Sequence, residues 1–307
     1  MRDPDGRGHH DTDTVLADQV TVVIATHQRA ASLARTLLEL SRLPEVPPTI
    51  VVANGCTDAT PAVVADMVDR FGSLLLVSVP DAIGATARTV GARAARTPFV
   101  AFCDDDSWWA PGSLDIAVRA LRSAPTVGAV CGHTVVGDAR ASDPINDLLA
   151  ASPLPPVDGL PGPRVRGFLA CALVVRRAAF LDVGGFSSII GFVGEESLLA
   201  MDLVADGWEI CYVADSVVEH HPSPRRPSPR ERARAASRNE LLTCVLRRPV
   251  TRCAGAVVGL LTDVATHRAP LGVVGDIARA LPGALARRER LPARVDAELR
   301  LVERAHR

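Results

Sequence analysis

The stretch Phe99 to Trp109, F-V-A-F-C-D-D-D-S-W-W, decides how the chain is read. Phe99 to Cys103 is a short apolar run behind Pro98, long enough for a strand buried on both faces and too short for a helix. It breaks into Asp104, Asp105 and Asp106, carboxylates that cannot stay charged in a dry interior and so belong at the strand's carboxyl end. In an open α/β sheet that end is where ligands bind. Clustered like charges raise one another's pKa unless a cation neutralises them, and a hard, oxygen-seeking ion such as Mg²⁺ or Mn²⁺ suits them. The triplet by itself also fits a helix cap at Asp106 or Ser107 with solvated neighbours.

Upstream, β-branched runs at Val20 to Ala25, Thr49 to Ala53 and Leu74 to Val79 read as three more strands. Helical spacing over Ser32 to Leu40 and Pro61 to Phe71 separates them, and residues 83–96, I-G-A-T-A-R-T-V-G-A-R-A-A-R, read as a helix with small residues on one face. Strands alternating with helices predict a mainly parallel α/β sheet with right-handed crossovers. No G-x-G-x-x-G occurs, so no dinucleotide cofactor is indicated.

Downstream, Pro111 to Ala124 reads as a helix, and Val127 to Val136, Phe168 to Val175 and Trp208 to Val213 as strands. Residues 138–164 are irregular and Pro-rich, a length that usually marks a binding loop or lid. Glu195 and Glu196 open an amphipathic helix through Leu203. Residues 223–235 read as a Pro/Arg hinge whose Arg225, Arg226 and Arg230 are either linker charges or partners for a phosphate. Helical segments over 236–307 follow. The last two are amphipathic and basic, suited to packing back on the main domain, to a homodimer or to peripheral contact with a membrane face.

Composition narrows the function. The chain has 307 residues and a formal charge of −1, which gives no reason to expect nucleic acid as a partner. All 34 basic residues are Arg, so Schiff-base chemistry and a phosphate-loop Lys are excluded. Seven Cys without a C-x-x-C pair read as reduced core residues, and with no signal-type or 18-residue apolar stretch a cytoplasmic location is expected. Residues 1–18, with His9 and His10, are expected to be a disordered tail.

The order of motifs resembles an inverting family 2 glycosyltransferase of the GT-A fold. The segments that carry the likeness are V-T-V-V-I-A-T-H-Q-R, V-V-A-N-G-C-T-D, G-A-T-A-R-T-V-G, F-C-D-D-D-S, V-G-G-F, G-E-E-S-L-L-A-M-D-L and V-V-E-H-H-P, all within residues 19–222. The resemblance implies a GT-A domain over 19–222 with a Rossmann-like, mostly parallel sheet flanked by helices, and a C-terminal helical extension. It implies a nucleotide-diphosphate sugar donor, Mn²⁺ or Mg²⁺, and transfer with inversion to an acceptor hydroxyl on a glycan, lipid-linked glycan, peptide or natural product. The implied metal set is Asp104 and Asp106 with either His220 or His221. Thr26, Arg29, Asn54, Arg88, Asp104 and Asp105 would face the donor. Glu196 is the implied base, with Glu195 in reserve; a plain helix N-terminus would also place acids there. On the acceptor side, Trp108 and Trp109 either stack on a sugar or pack the core, and Gly184 and Gly185 either shape a turn beside the acceptor or end a helix.

The chain departs from the family pattern at three places. Ala53 stands where an acid usually contacts the donor's base, which argues against a uracil donor. Thr89 replaces a common Asn, and Ser187 and Ser188 replace common acids. These losses leave two alternatives: a catalytically inactive binding module of the same fold, and a sugar-phosphate nucleotidyltransferase. The absence of Lys argues against the second. The expected location is cytoplasmic, with peripheral contact at the inner membrane face.

Overall fold

The computed structural model describes residues 16–223, 227–266 and 270–305. In chain order the elements are β1 (Val20–Thr26), α1 (Ala30–Leu40), β2 (Thr49–Asn54), α2 (Thr60–Met67), β3 (Leu74–Val79), α3 (Thr86–Ala94), β4 (Phe99–Asp104), β5 (Ser107–Trp109) and α4 (Ser113–Ser123). They continue with β6 (Val127–Val136), β7 (Ala141–Ser142), α5 (Ile145–Ala150), β8 (Leu173–Arg176), α6 (Arg177–Asp182), α7 (Glu195–Ala205) and β9 (Glu209–His220). Four helices close the chain: α8 (Pro229–Arg247), α9 (Val250–Ala265), α10 (Gly272–Ala286) and α11 (Ala293–Ala305). Among the described residues the strands form one sheet, ordered β3-β2-β1-β4-β8-β6-β9-β5 with β7 on β6.

The parallel sheet expected from the strand–helix alternation holds for β3-β2-β1-β4. Beyond β4 the sheet is mixed, because β8 runs antiparallel to both β4 and β6, and β5 runs antiparallel to β9. Val22, Val23 and Ile24 of β1 and Val51 and Val52 of β2 are fully buried, which is why these strands read as unbroken apolar runs. The small face of α3 has a steric reason: a Cβ on Gly91 would lie 2.4 Å from a Val23 methyl. Without side chains there, α3 sits directly on β1 and β2 and brings Arg88 to their carboxyl ends.

Several expectations change. Phe168 to Val175 yields only the short β8, preceded by a 3-10 turn at Ala170–Ala172. The proposed hinge shortens, because α8 starts at Pro229 with a Ser228–Glu231 capping box. Arg225 and Arg226 lie outside the described residues, and Arg230 is exposed. Of the expected tail, residues 1–15, with His9 and His10, are also outside the described residues, and Leu16–Asp18 form a 3-10 turn. The 138–164 segment is no lid over the strand ends. It carries α5, and Arg164 at its end bridges β9 to α11, bonding Glu209 and Glu298 at 2.8 and 2.9 Å. Arg166 joins the same two glutamates, and the buried Arg248–Asp296 pair at 2.9 Å ties α11 to the end of α8. A second apolar cluster, with Ile190, Leu198, Leu242, Val273 and Ile277, packs α8 and α10 against α7 and the loop before it.

Candidate active site

A pocket of about 730 Å³ opens at the carboxyl ends of the parallel strands. Of the residues singled out from sequence, Thr26, Arg29, Asn54, Arg88, Asp104, Asp105, Asp106, Glu195, Glu196 and His220 all line it. The other five do not. Trp109 is completely buried in the core. Trp108 and His221 stack on each other, 4.5 Å apart and 9° from parallel, in a separate depression toward α1. Gly184 and Gly185 follow α6 at φ +88° and +71°, and a Cβ on Gly185 would come within 2.5 Å of Thr89 Oγ1. That threonine accepts the Phe186 amide at 2.9 Å, so the glycine turn packs against α3 and stays out of the pocket.

The three aspartates have three different environments. Asp105 points inward, taking Thr26 Oγ1 and Arg29 Nη1 at 2.8 Å each, and Thr36 holds its carbonyl. Burial outweighs these contacts and pushes its carboxyl up to about 6. Asp106 accepts the Ser223 amide at 2.8 Å and lies 3.6 Å from His220 Nε2. Burial opposes ionisation here too, but His220, that amide and Arg29 together hold its carboxyl below the usual range. Asp104, the most open of the three, is ion-paired to Arg88.

Arg88 is 4% exposed and bridges two parts of the site, Asp104 through Nη2 and Glu195 through Nη1 at 3.3 Å. Phe186 and Phe192 each sit 5.4 Å from its guanidinium carbon. Burial alone would lower its pKa, but Asp104 and Glu195 raise it above the ordinary arginine value. Asn54 likewise faces its own protein: its side chain accepts the Ile83 amide at 2.7 Å and donates to the Gly84 carbonyl.

The glutamates divide sharply. Glu195 is 3% exposed and serves Arg88, whereas Glu196 is half-buried on the pocket wall. Burial first, and then the neighbouring charge of Glu195, raise the Glu196 carboxyl above the ordinary glutamate range. The loop that presents them turns through Val193 at φ +79° and Gly194 at +87°. A β-branched residue in that region is strained, and Asn239 of α8 holds it by donating to the carbonyls of Gly191, Phe192 and Val193, the last at 2.8 Å. Asn239, and Arg232 on the pocket wall, were missed from sequence. Both come from α8, and no local pattern in that helix points at the strand ends.

A divalent cation fits a narrower set than the sequence suggested. Asp106 and His220 face one another on the pocket wall, because β5 pairs with β9 and places Ser107 opposite His220. Asp104 is turned to Arg88, and His221 faces Trp108 and Asp138. The described residues hold no group of three or more His, Cys, Asp or Glu able to bind a metal. Two protein donors still suit Mn²⁺ or Mg²⁺, which are commonly bound by one or two side chains plus substrate phosphates.

The profile of the family described as "Glycosyl transferase family 2" matches residues 21–184, just over half the chain. Among characterised relatives, the N-acetylglucosaminyl-diphospho-decaprenol L-rhamnosyltransferase of Mycobacterium tuberculosis is 28% identical, over 67% of this chain and 77% of that protein. The pre-mycofactocin glycosyltransferase of the same species is 30% identical over 71% of this chain and 44% of that protein. Among solved structures, the mannosyltransferase PcManGT of Pyrobaculum calidifontis, in complex with GDP-Man and Mn²⁺, superposes with a TM-score of 0.59 at 22% identity, covering 94% of this chain and 80% of that one. S. aureus TarS 1–349 in complex with UDP-GlcNAc gives 0.58 at 15% identity, covering 91% and 83%. At these identities the superpositions speak for the fold, which is that of GT-A glycosyltransferases.

Proposed function

The chain belongs to glycosyl transferase family 2, and from that premise we propose that it moves a sugar, with inversion, from a nucleotide-diphosphate donor to an acceptor hydroxyl. The observation that carries this reading is one pocket holding both the Asp106–His220 pair and a half-buried Glu196 whose pKa is raised. Glu196 is the base. A raised pKa makes its carboxylate a better acceptor for the proton that the hydroxyl loses as it attacks the anomeric carbon. Glu195 is the positioning acid, holding Arg88 and through it Asp104. Arg29 and Arg232 supply positive charge to the pocket where the donor's diphosphate is received. Thr26 acts indirectly, by orienting Asp105.

Asp106 and His220 are the residues that would hold Mn²⁺ or Mg²⁺, and a bound cation would stabilise the charge that builds on the leaving diphosphate. The Mn²⁺ in the complex of PcManGT supports that choice by analogy of fold. Ala53 is buried in β2 and offers the donor's base no carboxylate, so the donor is not selected as a uracil nucleotide. The relative named for a diphospho-decaprenol substrate supports a lipid-linked acceptor. Among the described residues no helix is long and apolar enough to cross a membrane. Meeting such an acceptor then calls for peripheral contact, at the cytoplasmic face. The GT-A domain over residues 19–222 would carry the chemistry while α8 to α11 brace the base loop and the acceptor side.

The direct test is donor turnover. With Mn²⁺ present the protein should hydrolyse a nucleotide-diphosphate sugar slowly, and Asp106→Asn should abolish this. Undiminished hydrolysis in that variant would remove the proposed cation site.

A further inference from the structure

Beyond Phe192, which it shares with the donor pocket, lies a second cleft of about 880 Å³, between the 82–86 and 188–192 loops and the facing sides of α8 and α10. Its walls are bare where those loops approach: a Cβ on Gly84 would lie 3.8 Å from the Cα of Gly191. Three guanidiniums enter it, from Arg234, Arg238 and Arg279. Asp276 holds Arg234 and Arg279 on separate carboxylate oxygens, and Arg238 donates to the Ile189 carbonyl at 3.0 Å. The cleft's other acid, Glu231, is engaged in the Ser228 capping box. Three fixed cations against two already paired carboxylates leave the cleft cationic and pre-organised for an anion.

The surface next to this cleft is apolar. Val274, Ala278 and Leu285 fall on one exposed stripe of α10, continued by Leu271 just before the helix, beside the row that carries Arg279. On α9, Val250, Val258 and Leu261 are all more than 60% exposed, while the helix's Arg252 and Asp263 are half-buried. Exposed helix faces normally carry the charge and turn the apolar residues inward. Here α9 turns Ala256, Leu260 and Val264 inward in the normal way, yet leaves this second apolar face uncovered.

We infer that the cleft receives the phosphate group of an acceptor whose hydrocarbon chain remains in a lipid surface met by α9 and α10. The inference rests on reading the neighbouring pocket as the donor site, and it deepens that reading by assigning the acceptor's class and place. A phosphate held by Arg234, Arg238 and Arg279 leaves the sugar it carries to reach past Phe192 toward Glu196. The chain on the other side of the phosphate lies along the α10 stripe.

The test is calorimetric binding to the full chain, without donor, of farnesyl diphosphate, farnesol and inorganic diphosphate. Farnesyl diphosphate should bind more tightly than either of the others. Loss of one charge-assisted contact in Arg279→Glu should weaken it by about ten-fold or more. Val274→Asn, which removes apolar surface without adding charge, should weaken farnesyl diphosphate while leaving inorganic diphosphate unchanged. Arg279 is exposed on α10, so its variant should keep the melting temperature of the parent protein, and Arg234→Gln gives a second, independent charge removal. Inorganic diphosphate binding as tightly as farnesyl diphosphate would overturn the lipid assignment. Unchanged farnesyl diphosphate binding in both arginine variants would overturn the cleft. A protein that binds farnesyl diphosphate through these arginines but no nucleoside diphosphate would keep the cleft and remove the donor pocket instead.

Discussion

Replacing Arg88 by Met separates two roles for this residue, a contact to the donor's diphosphate and a strut inside the protein. Arg88 and Glu195 are 4% and 3% exposed, and Glu195 Oε2 has no hydrogen-bond partner among the described residues. Removing one partner of a buried ion pair typically costs about 3–5 kcal/mol, since the survivor is left desolvated and uncompensated. Arg88→Met should therefore lose about that much stability. Glu195→Gln, which leaves Arg88 paired with Asp104, should lose about 1–3 kcal/mol. In Arg88→Met/Glu195→Gln no buried Glu195 charge remains, so the double variant should be more stable than the sum of the two by about 2 kcal/mol, where independent sites add to within about 0.5 kcal/mol. Urea unfolding of the four proteins, followed by circular dichroism, measures all three terms. The strut reading fails if the losses are additive. It fails equally if Arg88→Met costs under about 1 kcal/mol while nucleoside diphosphate affinity falls more than ten-fold.

Glu196→Gln should retain donor affinity and lose about 10²- to 10⁴-fold in transfer, read by calorimetry beside a product assay; unchanged transfer would move the base elsewhere. Because Glu196 must be ionised to act and its pKa is raised, transfer should fall as pH drops through a value above the ordinary glutamate range. Glu195→Gln should move that limb to lower pH, and a pH–rate profile that stays in place would contradict the pairing. His220→Ala should weaken Mn²⁺ binding in the presence of a nucleoside diphosphate by about ten-fold or more, as judged by titration, while His221→Ala leaves it unchanged. Asp105, raised to about 6 in the fold, favours folding below the unfolded aspartate value, and that contribution is lost as pH rises through about 6. Asp105→Asn should remove that part of the melting-temperature profile between pH 4 and 7, a window set by the cited value; parallel profiles for both proteins would refute it. Asn239→Ala should cost about 1–3 kcal/mol and impair transfer, through release of the strained Val193 carbonyl; a stability unchanged in urea would remove its anchoring role.

What the chain reveals unaided is local. Apolar runs such as Val20 to Ala25 and Leu74 to Val79 need only a period and a length to be read as strands, and a carboxylate cluster at a strand's end must face water or a ligand wherever the strand lies. Those signals were enough for the parallel half of the sheet and for the three aspartates at the end of β4; the other seven pocket residues were implied by the likeness to family 2 glycosyltransferases. Strand direction beyond β4 was out of reach, because a short apolar run looks the same whichever way it points. The division of labour among neighbours was also hidden. His220 and His221, Glu195 and Glu196, and Trp108 and Trp109 are adjacent pairs with nearly identical local sequence context. His220 ends β9 and His221 follows it with its amide held by the Asp106 carbonyl, so successive side chains point to opposite faces, His220 to Asp106 and His221 to Trp108. Arg88 became a bridge only because α3 lies tight on β1 and α7 begins beside it. Sequence thus determined which chemical groups gather at the strand ends, since burying them elsewhere is prohibitively costly. Tertiary structure alone decided which of them face the ligand and which face one another, since that depends on contacts between residues more than a hundred positions apart.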